Sequence, residues 1–157
     1  MNLFGVMEVS GSALQAERIR AEVVAANMAN AETTRTADGG PYQRQHVVFS
    51  SEAPQQSFAG QLMAQAGESS QEIGGVRVSA VVADQGSPLR RYDPGHPDAD
   101  KDGYVSYPDI NPLTEMVDLM GATRAYGLNS SAVQAEKSML SSSLDILKLE
   151  QGDDFVV

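Results

Sequence analysis

The 157-residue sequence contains no cysteine. Disulfides, thiolate catalysis and cysteine-ligated zinc are therefore excluded. A cysteine-free chain can also enter an oxidising space without mispairing, though this does not fix a compartment. Tryptophan is absent and aromatic residues make up 6% of the chain. Alanine and valine must then supply most of the buried surface, which suits helices packed along their lengths better than a thick central core. Basic residues are few as well: 11 Lys and Arg against 21 Asp and Glu give a net charge of −10. The densest basic cluster is the pair Arg90-Arg91. Phosphate binding depends on clustered cations, so nucleic acid and anionic membrane are not expected partners. No apolar run approaches the ~20 residues that span a bilayer, which argues against membrane insertion. The first residues carry no basic segment, apolar stretch or Ala-x-Ala site, so the chain is expected to be cytosolic or to leave by a route without a cleaved signal.

Catalytic signatures are missing too. The two histidines, His46 and His96, lie in separate segments, and no Gly-x-Ser-x-Gly elbow accompanies them. Gly39-Gly40 and Gly74-Gly75 are isolated turn pairs, with no Gly-Lys-Ser/Thr opening a helix. The expectation is a protein without enzymatic activity, metal or cofactor.

What the chain does contain falls into three zones. In residues 3 to 30, Leu3, Val6/Met7, Ser10, Ala13/Leu14, Glu17, Arg20/Ala21, Val24 and Asn27/Met28 recur at intervals of three and four. That spacing predicts an amphipathic helix with a narrow seam, although Glu17 and Arg20 fall on the stripe. Residues 112 to 148 predict a second helix of roughly 50 Å, with Asn111 as its N-cap, Pro112 in its first turn, and Glu115 and Asp118 near the positive end of its dipole. Val133, Lys137, Leu140, Leu144 and Leu147 keep a 4–3–4–3 spacing along it. Between the helices, residues 31 to 111 hold six of the seven prolines and short β-prone runs at 45–49, 75–83 and 103–107. Residues 52 to 73, rich in Gln, Ser, Ala and Gly, are expected to form a flexible insertion with a short helix around 58–66.

The fold class expected is mainly α with a small β-rich insert, the long N- and C-terminal helices pairing in a coiled-coil-like bundle. The domains would be a discontinuous helical unit (1–31 and 111–150), a β-rich unit (32–110) and an acidic tail (151–157). Long stripes at both ends of a chain also suit polymerisation, because contacts that do not close produce helical filaments.

One acidic segment admits a different reading. Asp98-x-Asp100-x-Asp102-Gly103, with Asp109 at position twelve, matches the first half of an EF-hand loop and makes a calcium-responsive binding module the alternative. Pro108, the missing Glu at position twelve and the segment Asp93-Pro94-Gly95-His96-Pro97, which cannot be an entering helix, favour a solvated acidic turn.

The segment Val24-Ala25-Ala26-Asn27-Met28-Ala29-Asn30-Ala31-Glu32-Thr33 resembles the signature closing the N-terminal helix of flagellar rod and hook proteins. Three further stretches resemble the proximal rod protein C type of the flagellar basal-body rod family. These are Pro94-Gly95-His96-Pro97-Asp98-Ala99-Asp100 with Asp102-Gly103-Tyr104-Val105, then Glu115-Met116-Val117-Asp118, and then Arg124-Ala125-Tyr126 with Asn129 and Lys137-Ser138-Met139. Ala26 stands where the family often has Ser, and residues 52 to 73 exceed the usual connection.

The resemblance implies a structural subunit that polymerises in the periplasmic rod and transmits torque from motor to hook. Its implied partners are other flagellar rod proteins, copies of itself, the flagellar type III export apparatus, and the basal membrane ring with its adaptor. Subunit contacts are expected at Val24, Asn27, Met28 and Asn30 on the first helix. On the last they are expected at Met116, Met120, Arg124, Tyr126, Asn129, Val133, Leu140, Leu144 and Leu147. For Asn27 and Asn30 the competing reading is a helix C-terminus, where Asn tolerates left-handed dihedrals. For the methionines it is adaptable core filler.

Overall fold

Alanine-rich, proline-free sequence over the first zone forms α1 (Leu3–Ala29), 27 residues long. The β-prone runs form β1 (Gln45–Ser51), β2 (Val76–Ala83), β3 (Leu89–Tyr92) and β4 (Tyr104–Tyr107), and the chain closes with α2 (Pro112–Gly152), 41 residues long. This computed structural model describes residues 3–51 and 74–152. The insertion 52–73, its expected short helix and the tail from 153 onward lie outside the described residues.

Helix α2 starts as its sequence requires. Asn111 caps it, its side-chain oxygen accepting from the Leu113 N–H at 3.0 Å, and Pro112 occupies the first turn where its missing N–H costs nothing. The two helices pack side by side and antiparallel: Asn27 faces Glu115, and Arg20 faces Asp118. At ~1.5 Å per residue, α1 runs about 40 Å and α2 about 61 Å. Since the Asn27 end of α1 is level with the start of α2, the overhang lies at the C-terminal end of α2.

Of the stripe expected on α1, Ser10, Val24 and Asn27 are buried, while in mid-helix the buried residue is Ala16, one place before the expected Glu17, which is half-buried. On α2 it runs through Glu115, Leu119, Ala122, Asn129, Val133, Glu136 and Leu140. The expected stripe is corrected here. Val133 and Leu140 are half-buried, but Lys137 is exposed on the flank, and Leu144 is exposed where α1 no longer reaches.

Two separate two-stranded sheets fill the middle. β1 and β2 pair antiparallel from Gln45↔Ala83 to Ser51↔Val76, with a bulge after Val48. Ser79 is the extra residue of that bulge, and its hydroxyl donates to the Val48 carbonyl at 3.0 Å. The ribbon lies on α1, where the Ser12 hydroxyl accepts from the Val76 N–H at 3.1 Å. β3 and β4 pair from Leu89↔Tyr107 to Tyr92↔Tyr104. The sequence did not suggest β3, whose Leu-Arg-Arg-Tyr is short and charged. Cation–π contacts hold it, with Arg90 over Tyr104 and Arg91 over Tyr107, each 4.9 Å from the ring centre.

The apolar core is thin. Among the described residues, Ala16, Val24, Val105, Pro108, Ile110 and Ala122 are the buried apolar side chains, none of them aromatic. Polar contacts therefore carry an unusual share of the fold's specificity.

Candidate functional site

The last turn of α1 brings Asn27 to the junction of α1, α2 and β1, where it is 1% exposed. Its side-chain oxygen accepts from the Gln45 N–H at 2.9 Å and from the Tyr42 hydroxyl at 3.2 Å. Its amide nitrogen donates to the Gln45 carbonyl at 2.9 Å and to Glu115 Oε2 at 3.1 Å. The amide thus pairs with Gln45 as a neighbouring strand would, and its full hydrogen-bonding capacity is spent inside the subunit. Glu115, also 1% exposed, accepts on Oε1 from Arg44 Nε at 2.6 Å and Nη2 at 2.5 Å. Burial pushes the Tyr42 hydroxyl above its usual pKa, and the neighbouring Glu115 adds to the effect.

Charged groups continue outward from this clamp. Asp118 lies 3.8 Å from Arg44 and 3.5 Å from Arg20, and Arg20 reaches Glu17 at 3.8 Å. Arg44 also meets His46 at 3.4 Å, and His46 meets Asp84 at 3.3 Å. That His46 contact, followed by the Gly86 N–H, holds the Asp84 carboxyl below the usual carboxylate range. An open cleft of about 310 Å³ lies over this cluster, walled by Val24, Val47 and Phe49.

Asn30 closes α1. Its amide donates to the Ala26 carbonyl at 2.9 Å, and its side-chain oxygen accepts from the Thr33 hydroxyl at 3.1 Å. The left-handed reading is corrected: among the described residues, positive φ occurs at Gly39, Gly40 and Gly103 and at no other residue type. The side chain of Asn30, rather than an inverted backbone, satisfies the helix end.

The acidic turn is occupied by its own surroundings. Asp98 accepts from the Thr34 hydroxyl at 2.8 Å and pairs with Arg35 at 3.2 Å. Asp100 Oδ1 accepts from the Asp102 and Tyr104 N–H groups at 2.9 and 2.8 Å, while Oδ2 pairs with Arg90 at 2.5 Å. The Tyr104 N–H above all holds the Asp100 carboxyl below the usual carboxylate range. These contacts form a tight β3–β4 connection in which Gly103 has φ 78° and its Cβ position is 2.9 Å from the Tyr92 ring. Among the described residues, no group of three or more His, Asp or Glu is arranged to hold a metal ion. The Asp98 and Asp100 carboxylates are thus engaged by groups of the subunit itself.

Outside the clamp, α2 turns large apolar side chains to solvent. Leu113 is 69% exposed, Val117 62%, Met120 67% and Leu128 67%. On a 3.6-residue helix these four lie opposite the buried seam, with Arg124 among them.

Comparison with known proteins gives this geometry its context. Residues 7–35 match the family described as flagella basal body rod protein, and residues 101–146 match the C-terminal family of flagellar basal body rod FlgEFG proteins. The flagellar basal-body rod protein FlgC of Borreliella burgdorferi is 42% identical over 154 residues, covering 94% of this chain and 99% of that protein. That of Bacillus subtilis is 41% identical over 152 residues, covering 94% and 100%. That of Salmonella typhimurium is 35% identical over 146 residues, covering 93% and 98%.

The chain belongs to the FlgC family of flagellar basal-body rod proteins.

It is accordingly a structural subunit of the flagellar rod, and a rod subunit assembles with other rod components. In this chain the matched segments bracket the clamp, one carrying Asn27 and the other Glu115, while Arg44 lies outside both. No helix among the described residues is long and apolar enough to cross a membrane. The residues expected at subunit contacts fall into separate groups. Val24 and Asn27 are buried inside the subunit, and Met28, Asn30, Asn129, Val133 and Leu140 are half-buried. Met116, Met120, Arg124, Tyr126 and Leu144 are exposed, and the side chain of Leu147 lies outside the described residues. Sequence reasoning missed Tyr42 and Gln45 as partners of Asn27, and Arg44 as the partner of Glu115. The available signal was the charge at seam positions: Arg20 on one helix and Glu115 on the other.

Proposed function

We propose that this FlgC-family chain polymerises in the periplasm with other rod proteins and with copies of itself, and passes torque from motor to hook. The observation that carries the reading is the uncovered apolar stripe of α2, on a helix pair clamped to its β region through Asn27, Glu115 and Arg44. An open stripe of this kind is a liability in water unless a partner covers it, and a clamped helix pair resists shear between its elements. In the assembled rod the pair forms a coiled-coil-like bundle. Residues 1–31 and 111–150 act as the axial unit and 32–110 as the outer one. Met116, Met120, Arg124, Tyr126 and Leu144 supply subunit contacts, with Met28, Asn30, Asn129, Val133, Leu140 and Leu147 at their margins. Val24 and Asn27 support those contacts from within.

The chain reaches its place through the flagellar type III export apparatus without a cleaved signal, and meets the basal membrane ring and its adaptor at the rod base. Deleting the gene tests the reading. Cells should stop swimming, and their basal bodies should lack a complete rod under the electron microscope, with both restored by the wild-type chain. Complete rods and normal swimming after deletion would refute it.

A further inference from the structure

Resting on the rod-subunit reading, we propose that the outer face of α2 packs on the outer face of α1 in a second copy of this chain. Both faces are identified by their position relative to the seam. On α2, Leu113, Val117, Met120 and Leu128 lie opposite the buried positions and are all more than half exposed. On α1, the side turned away from α2 exposes Glu8, Gly11 and Gln15.

Around Gly11 the two surfaces complement each other in size. The α2 face is bulky, while the α1 face, past the exposed Phe4 (68%) at its start, has a gap at Gly11. A Cβ built at Gly11 would meet nothing within 4 Å, so alanine would suit the isolated helix better at no steric cost. Glycine at an exposed mid-helix position is accounted for when another helix approaches closely there.

They also complement each other in charge. Arg124 is the one charged residue on the bulky stripe between Leu113 and Leu128, and it makes no ion pair among the described residues. Glu8 on the α1 face likewise has no ion-pair partner among the described residues. Arg18 and Glu22, nearby on the same helix, neutralise each other at 2.9 Å. One uncommitted cation in an apolar stripe and one uncommitted anion beside a glycine gap make the second copy a fitting occupant. The contact is heterologous, because the faces differ and lie on opposite sides of the helix pair. Each copy that docks leaves a free face for the next, so the arrangement adds subunits side by side without closing on itself.

The absence of native cysteine makes a direct test possible. The double variant Glu8→Cys/Arg124→Cys is expressed in place of the wild-type chain, and hook–basal bodies are purified and oxidised. The two positions are on opposite sides of one subunit, so a disulfide between them joins two copies. A ladder of dimers and larger multimers of this chain is expected, with none from either single variant. Basal bodies that contain the variant but give no ladder, or that cross-link it to a different protein, overturn the pairing and leave the rod reading intact. Absence of the wild-type chain from basal bodies would instead strike the rod reading itself. Should the cysteine variant fail to assemble, reciprocal charge reversal decides. Arg124→Glu and Glu8→Arg should each slow swimming several-fold, and their combination should restore it. A combination no better than the worse single variant overturns the pairing.

Discussion

An asparagine amide has two donor hydrogens and two acceptor lone pairs, and at Asn27 all four are used within the subunit. Beside it, Glu115 depends on Arg44 for its cation, since both are drawn into a site where Glu115 is 1% exposed. Removing one partner of a buried pair strands the other. Arg44→Met should therefore cost about 3–5 kcal/mol of stability in urea unfolding. Adding Glu115→Met should recover part of that loss, with a coupling above ~1 kcal/mol. A second residue-scale expectation concerns Asp100, whose carboxyl is held below the usual 3.8, mainly by the Tyr104 N–H. A depressed pKa contributes stability that is present above the unfolded value and lost as pH falls through the folded one. The β3–β4 turn should thus stay closed at pH 5 and open as acid takes the pH below 3.8 toward the folded value. Loss of exchange protection at the Asp102 and Tyr104 amides over that window, by NMR, checks it.

At the scale of elements, both long helices were legible from spacing and caps, because a three-and-four stripe and an Asn-Pro start are local signals. The ends were less so. The stripe through Lys137 and Leu144 continues the pattern of Leu140, but burial on α2 depends on how far α1 reaches, and no local pattern encodes the reach of a remote element. The clamp was half legible. Asn27 lay in a recognised motif, yet its partner Tyr42 and the Arg44 that pairs with Glu115 sit in a connection without periodicity, and nothing local in β1 marks Gln45 as the residue that meets the helix end. β3 was invisible for a related reason: it exists through Arg–Tyr pairs made across the sheet. Helix α2 also carries a removable cost. Gly121 is exposed, and a Cβ there would meet nothing within 4 Å. Gly121→Ala should raise the stability of the free subunit by about 0.5–1 kcal/mol, seen as a higher melting temperature.

At the scale of the whole molecule, a thin core, a charged seam and an exposed stripe describe a subunit that is completed by neighbours. Residues 141 to 146 of α2 are all exposed, including Leu144 at 58% and Ile146 at 65%. A helix end without a packing partner is marginal in water. In hydrogen exchange these amides should be the fastest of α2 in the free subunit and become protected in the assembled rod. Equal exchange in both states would mean that no neighbour covers the overhang. The central claim is that this chain is built into the rod, and its most direct measurement is quantitative mass spectrometry of hook–basal bodies purified from the source bacterium. The expected result is this chain at the abundance of the other rod proteins. Its absence from intact, well-populated basal bodies would contradict the claim.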